Sequence, residues 1–412
     1  MRSAWKALPL LCFLTLPGAA DDAGLLARAR EIQKRIVSFD SHTDITLDFE
    51  GAAIDGKSQL DLPKAARGGL KGAAIAIFVQ QGPRTAAGFA KAKEDSEKKY
   101  ELIKAIAAQN PDKAMLAYSP ADVRRAGAQG KFAVVMSILN AYPLGKDVRQ
   151  IDFWYGRGVR IFGFVHAGHN DWADSSRPNA ALGDKLYEHN GLSDLGAAGV
   201  KRMNELGMLI DVSQLSSPAF KQVLSLTKAP VAATHSGVKG MVDNPRNLSD
   251  EELEMLKRND GVIQVVAFSN YIRPIPTEVT DRQRALRSEF GLTEEAIPAT
   301  LPEARRREYT ERNAAILAKV PRGTLPQFVD SIDYAVKKIG VDHVGIASDF
   351  NHGGGVTGWD NEGEAINVTV ELLRRGYSEK DIGKLWGGNF LRVWAKAQSL
   401  SDEKKAGGKT FY

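Results

Sequence analysis

Short runs of apolar residues, most of them bounded by Gly or Pro, recur along the whole chain. Eight read as buried strands: 35–40 (RIVSFD), 69–79 (GLKGAAIAIFV), 132–138 (FAVVMSI), 159–166 (VRIFGFVH), 208–212 (MLIDV), 230–235 (PVAATH), 261–268 (GVIQVVAF) and 343–350 (HVGIASDF). Their apolarity is continuous rather than alternating, as in strands covered on both faces. Helical periodicity predicts helices over 88–108, 193–206, 218–226, 250–257 and 326–338. Ser249 ahead of Asp250, Glu251 and Glu252 is a capping-box start.

Eight strands alternating with helices predict an α/β fold, a (β/α)8 TIM-type barrel. A doubly wound open sheet is the alternative, but no Gly-rich dinucleotide fingerprint follows the first strand. One stretch breaks the rhythm. Residues 273–323 separate strands seven and eight, are rich in charge and predict helices over 281–290 and 302–319. We read them as a helical insertion in a βα loop, beside the active face of a barrel; a solvated surface decoration is the other reading.

Composition narrows the chemistry. The 412 residues are 43% apolar and 25% charged, ordinary for a globular protein. A single Cys excludes a disulfide framework and any cysteine-based zinc or iron–sulfur site, so a metal would need His, Asp or Glu. The 55 basic and 50 acidic residues are dispersed, with no basic block of the kind that tracks phosphates. A nucleic-acid partner is therefore not expected.

Residues 1–20 carry Arg2 and Lys6, then an apolar stretch over 7–16, then Gly18, Ala19 and Ala20. That is the pattern of a secretory signal peptide, too short to span a bilayer, and it predicts export to a periplasmic or extracellular location with cleavage near Ala20. Cys12 would leave with it; Leu11 before it is not the small residue that lipoprotein processing needs. The mature domain, 21–412, would lack Cys, and subtracting Arg2 and Lys6 from the 55 basic residues leaves 53 against 50 acidic. No later apolar run reaches the roughly 18 residues of a membrane span.

Potentially reactive residues gather at the strands' C-terminal ends. Strand one ends Asp40-Ser41-His42-Thr43-Asp44, and the two-residue period puts His42 and Asp44 on one face. His166 ends strand four, Gln214 follows strand five, His235 ends strand six, and Asp349 lies near the end of strand eight. In a barrel these ends converge on one mouth, where catalytic groups reside. His343, at the wrong end of its strand, and His189, in a polar loop, read as structural; His169 and His352 sit in loops that line the mouth.

These residues resemble the membrane (renal) dipeptidase family of zinc metallopeptidases. The matching segments are 40–44 (DSHTD), 59–69 (QLDLPKAARGG), 164–176 (FVHAGHNDWADSS), 207–216, 229–236 (APVAATHS), 244–248 (NPRNL), 341–350 (VDHVGIASDF) and 376–393 (GYSEKDIGKLWGGNFLRV). The resemblance implies a (β/α)8 barrel that hydrolyses dipeptides, commonly with a C-terminal D-residue, at two zinc ions bridged by a carboxylate, and that often pairs as a homodimer. It implies that His42 and Asp44 hold the first zinc and His235 the second. His166 would contact the tetrahedral intermediate, Arg246 would bind the substrate's free carboxylate, Asn170 would also contact substrate, and Asp349 would orient or deprotonate the attacking water.

Two positions depart from that pattern. Leu139 stands where the family has its bridging Glu, and Gln214 where it has a second-zinc His. Leucine cannot bind a metal and a neutral amide is a poor zinc ligand. His42, Asp44, His235 and Asp349, with Gln214 a weak addition, are expected to hold one zinc with a position open for water. The expected function is an exported metal-dependent dipeptidase. The alternative is a catalytically degenerate member that binds small peptides or assists maturation of an exported metabolite. A mononuclear deaminase or amidase is a third reading, weakened by the match at Arg246 and around His166.

Overall fold

A computed structural model of the chain describes residues 19–292 and 301–401. The expected leader lies outside the described residues except for Ala19 and Ala20, which open the first helix, Ala19–Arg35. Eight strands form one parallel ring: β1 Phe39–Thr43, β2 Gly72–Phe78, β3 Phe132–Leu139, β4 Val159–Gly163, β5 Leu209–Asp211, β6 Ala232–Val238, β7 Val262–Val266 and β8 Val344–Ala347. Each overlaps one of the eight apolar runs, and the fold is a TIM-type (β/α)8 barrel. β1 begins only at Phe39, near the end of its expected run, and extends through the polar residues 40–43, while β6 runs three residues further than expected. Two short strands lie off the ring, Ala114–Leu116 beside β3 and Asn247–Leu248 beside β6.

The longest register, Gly72 opposite Ala133 through Phe78 opposite Leu139, welds β2 to β3 without a bulge. The ring closes between β8 and β1 mainly at their C-terminal ends. There the amide of Asp349 donates to His42 O (3.0 Å) and that of Asp44 to Phe350 O (2.9 Å). Deeper in the seam, the buried Asp40 carboxylate accepts both the Ser348 amide (3.0 Å) and its hydroxyl (2.5 Å). The same contacts that shut the barrel fix the two strand ends that carry His42, Asp44 and Asp349.

The five expected helices appear as Ala86–Ala108, Asp194–Leu206, Ser217–Leu226, Asp250–Arg258 and Leu325–Ile339. Ser249 and Glu252 form the reciprocal capping box. The reading missed several helices, including Leu62–Gly68, Pro120–Ala128, Ala365–Arg374 and Asn389–Ser399. The last plugs the end of the barrel opposite the mouth, stacking Phe390 on Phe39 at 5.5 Å.

In the insertion, helices Thr277–Glu289 and Glu303–Leu317 pack through Leu286, Phe290 and Tyr309, a cluster separate from the barrel core. The stretch leaves β7 through the short helix Ser269–Ile272, whose Tyr271 lies against Arg246. That places the root of the insertion at the mouth.

Candidate metal centre and substrate site

At the mouth, the His42 and His235 rings stack at 3.8 Å. His42 Nε2 lies 3.7 Å from Asp349 Oδ1, and His352 Nδ1 lies 3.8 Å from the same oxygen and 4.0 Å from Asp44 Oδ2. His42 Nε2, Asp349 Oδ1 and His352 Nδ1 are buried and have no hydrogen-bond partner. Ligand atoms of His42, Asp349 and His352 fall within 4.8 Å of one another, and so do those of His42, Asp211 and His235. Native structures satisfy nearly all buried polar atoms, because stranding one costs about 1–3 kcal/mol. Three stranded atoms that converge, two imidazole nitrogens and a carboxylate oxygen, are the donor set of a divalent cation with an open position.

Electrostatics agree with that donor set. Burial, then the neighbouring His352 and Arg246, pushes the His42 pKa well down, so its lone pair is free. His352 is pushed down to about 4, chiefly by burial and then by Lys99, Arg177 and Arg246. Burial raises Asp349 well above the usual carboxylate range despite the pull of Arg246, and a bound cation would reverse that.

Asp44 is already partly neutralised. Lys99, buried on the helix Ala86–Ala108, donates to Asp44 Oδ1 at 2.6 Å and also to Ile45 O. Burial still pushes Asp44 up to about 6 against the pull of Lys99. Only Asp44 Oδ2 faces His352.

The second half of the site is closed by hydrogen bonds. Gln214 has a left-handed backbone, φ 71°, a conformation uncommon outside Gly, Asn and Asp. Its side-chain Nε2 lies 3.0 Å from His235 Nε2, and its Oε1 accepts from Arg177 Nη2 at 2.7 Å. That second bond fixes the amide's orientation, so the NH2 group donates to His235. The other ring nitrogen, Nδ1, then donates to Thr234 Oγ1 (2.9 Å), whose hydroxyl donates to Asp211 Oδ2 (2.7 Å). Both nitrogens of His235 are committed. Leu139 ends β3 fully buried beside Gly163, with Asp211 on that glycine's other flank, and offers no donor.

Arg177 Nη2 also reaches His166 Nε2 (3.3 Å), which places the His166 proton on Nδ1, an N–H with no partner. His166 stacks on His352 at 4.8 Å and against Phe78 at 4.6 Å. Burial first, then His352, Arg177 and Arg246, keeps it neutral. Arg246 donates to His235 O at 2.8 Å, its guanidinium carbon is 5.3 Å from the Tyr271 ring, and its Nε is unpartnered.

The structure thus brings His42, Asp44, His166, Gln214, His235, Arg246 and Asp349 to one mouth. Asn170 differs. Its amide nitrogen donates to Asn140 Oδ1 (2.9 Å) and Phe164 O (2.7 Å), while its oxygen accepts from the amides of Trp172 and Ala173. Bonded in this way, its side-chain amide holds the loop that carries Trp172. His169, His189 and His343 are likewise bonded to backbone carbonyls. Sequence reasoning missed Lys99, Arg177 and Asp211, and left His352 only lining the mouth.

Comparison with known proteins places this geometry. The model of the membrane dipeptidase family, peptidase family M19, matches residues 26–407. The probable dipeptidase PvdM from Pseudomonas aeruginosa, a crystal structure, is 46% identical over 92% of this chain and all of that one, with a TM-score of 0.88. Dipeptidase aclJ from Aspergillus oryzae is 28% identical over 84% of this chain and 72% of its own length. A Rhodobacter sphaeroides metallopeptidase, bound to a phosphinate mimic of L-Ala-D-Ala, shares the fold at 20% identity, with 88% of this chain and 99% of that one covered and a TM-score of 0.69.

Proposed function

Because the chain belongs to the membrane dipeptidase family, peptidase family M19, we propose that it is an exported hydrolase that cleaves the amide bond of a dipeptide with a free C-terminal carboxylate, using one zinc ion. The observation that carries this reading is the convergence of the unpartnered His42 Nε2, Asp349 Oδ1 and His352 Nδ1. These three residues would hold the ion, with Asp44 Oδ2 beside them. When bound, such an ion lowers the pKa of a water to about 7 and polarises the scissile carbonyl.

The chain's own groups supply the rest. Arg246 offers a planar fork, already anchored on His235 O, to the substrate's carboxylate. Asp349 receives the proton of the attacking water and returns it to the leaving amine as the C–N bond breaks. His166 donates from Nδ1 to the carbonyl oxygen as charge develops there.

The leader pattern of residues 1–20 supports export, and no helix among the described residues is long and apolar enough to cross a membrane. Family resemblance supports acceptance of a C-terminal D-residue and pairing as a homodimer; sedimentation velocity tests the latter. One observation favours the second reading, a degenerate ligand-binding member: the Arg177–Gln214–His235 chain occupies the side of the site where a second metal would need donors. Metal analysis of purified protein, alongside hydrolysis of L-Ala-D-Ala and L-Ala-L-Ala, separates the two. About one zinc with turnover supports the hydrolase; no zinc and no turnover overturns it in favour of the binder.

A further inference from the structure

Two guanidinium groups without counter-ions face the same mouth. Arg246 is 2% exposed and Arg177 is partly buried, and the Nε of each lacks a partner. Their hydrogen bonds go to neutral acceptors: Arg246 to His235 O, Arg177 to Gln214 Oε1 and His166 Nε2. Among the described residues neither forms an ion pair. Asp349, the carboxylate whose field both arginines feel, is claimed by the proposed cation. The histidines between them are held neutral, and Lys99 is spent on Asp44.

A small polar cavity of about 120 Å³ is lined by Arg246 together with Ser176, Gln214, Ser217, Lys239, Ser249 and the carboxylate of Glu252, which Ser249 occupies. Arg177 borders the site from the His166 and Gln214 side and does not line this cavity. The Ser176 hydroxyl oxygen is buried without a partner. Buried like charges without counter-ions are unfavourable, and an anion that meets both removes the penalty. Arg177 carries its own sign of this: burial first, and then Arg246, depresses its pKa.

We propose that Arg177 is a specificity-determining residue that, together with Arg246, clamps a ligand bearing two carboxylates, so that the site prefers a dipeptide with Asp or Glu at its C-terminal position. The proposal rests on the reading of Arg246 as the site for the substrate's free carboxylate. Arg246 takes the main-chain carboxylate and Arg177 the side-chain one. Gln214, fixed by Arg177, sets the spacing between them.

Calorimetry on the zinc-loaded protein with L-Ala-L-Glu, L-Ala-L-Gln and glutarate tests it. The expected result is a preference of tenfold or more for the Glu over the Gln dipeptide. That ratio should fall to about one in Arg177→Gln and be partly kept in Arg177→Lys, with thermal melts reporting folding of both variants. Glutarate carries both carboxylates and no peptide bond. If glutarate binds in an Arg177-dependent way but no dipeptide is hydrolysed, the clamp stands and the hydrolytic reading fails. If L-Ala-D-Ala is hydrolysed but the Glu:Gln ratio is near one, or is unmoved by Arg177→Gln, the clamp is overturned and the hydrolase stands.

Discussion

The amide nitrogen of Gln214 donates to Nε2 of His235 across 3.0 Å, and the guanidinium of Arg177 holds that amide in place. A ring nitrogen that accepts an N–H cannot also coordinate a metal. The stacked rings of His42 and His235 therefore divide the mouth. On one side are unpartnered ligand atoms, and on the other a completed hydrogen-bond chain.

Reopening the closed side requires both lost donors. The double variant Leu139→Glu with Gln214→His is expected to bind two zinc ions per chain where the parent binds one, measured by plasma mass spectrometry after gel filtration. Leu139→Glu alone puts a carboxylate into a fully buried position close to Asp211. Without metal it is expected to cost about 3 kcal/mol in urea unfolding, as an uncompensated buried charge.

His352 gives a pH signature in the metal-free protein. Its folded pKa is about 4, below the 6.5 of the free group. The unfolded chain thus binds more protons between those values, and the stability that neutral His352 permits is lost as pH falls through that window. Relative to His352→Gln, the metal-free wild type is expected to lose up to about 1.4 kcal/mol per pH unit between about pH 6.5 and 4 in denaturant melts. Parallel curves would remove His352 from the buried cluster.

The barrel was readable because most of its strands lie in continuous apolar runs, whereas β1, Phe39–Thr43, is largely polar and is placed only by the apolar run that leads into it. The strand-end rule then located His42, His235 and Asp349. What escaped depends on contacts between distant segments. Lys99 sits in a run, KAKEDSEKKY, that reads as solvated; its only signal is phase, since it shares the buried face of its helix with Ala92, Ser96 and Ile103. Arg177 lies one residue beyond the recognised segment and gains meaning only when the loop brings it to Gln214, 37 residues away. For Asn170, membership of a recognised segment suggested a substrate contact, and its hydrogen bonds to the loop that carries Trp172 were not legible in the sequence.

That position yields its own test. Asn170→Ala strands the amides of Trp172 and Ala173 in a buried loop, while the Phe164 carbonyl keeps the Ala141 amide. The expected cost is about 2–4 kcal/mol in equilibrium unfolding. A loss of activity without loss of stability would instead make Asn170 a substrate contact.

Zinc should also stabilise the fold. At free zinc 1,000-fold above its Kd, binding to the folded state alone adds about 4 kcal/mol, so chelation is expected to lower the melting temperature and re-addition to restore it. His42→Ala should abolish that response.

The most direct test of the one-metal centre is anomalous diffraction at the zinc edge from crystals grown with excess zinc. A single peak within bonding distance of His42 Nε2, Asp349 Oδ1 and His352 Nδ1, with the Gln214–His235 hydrogen bond intact, is the predicted result. Two peaks, or one peak bonded to His235 Nε2, would contradict it.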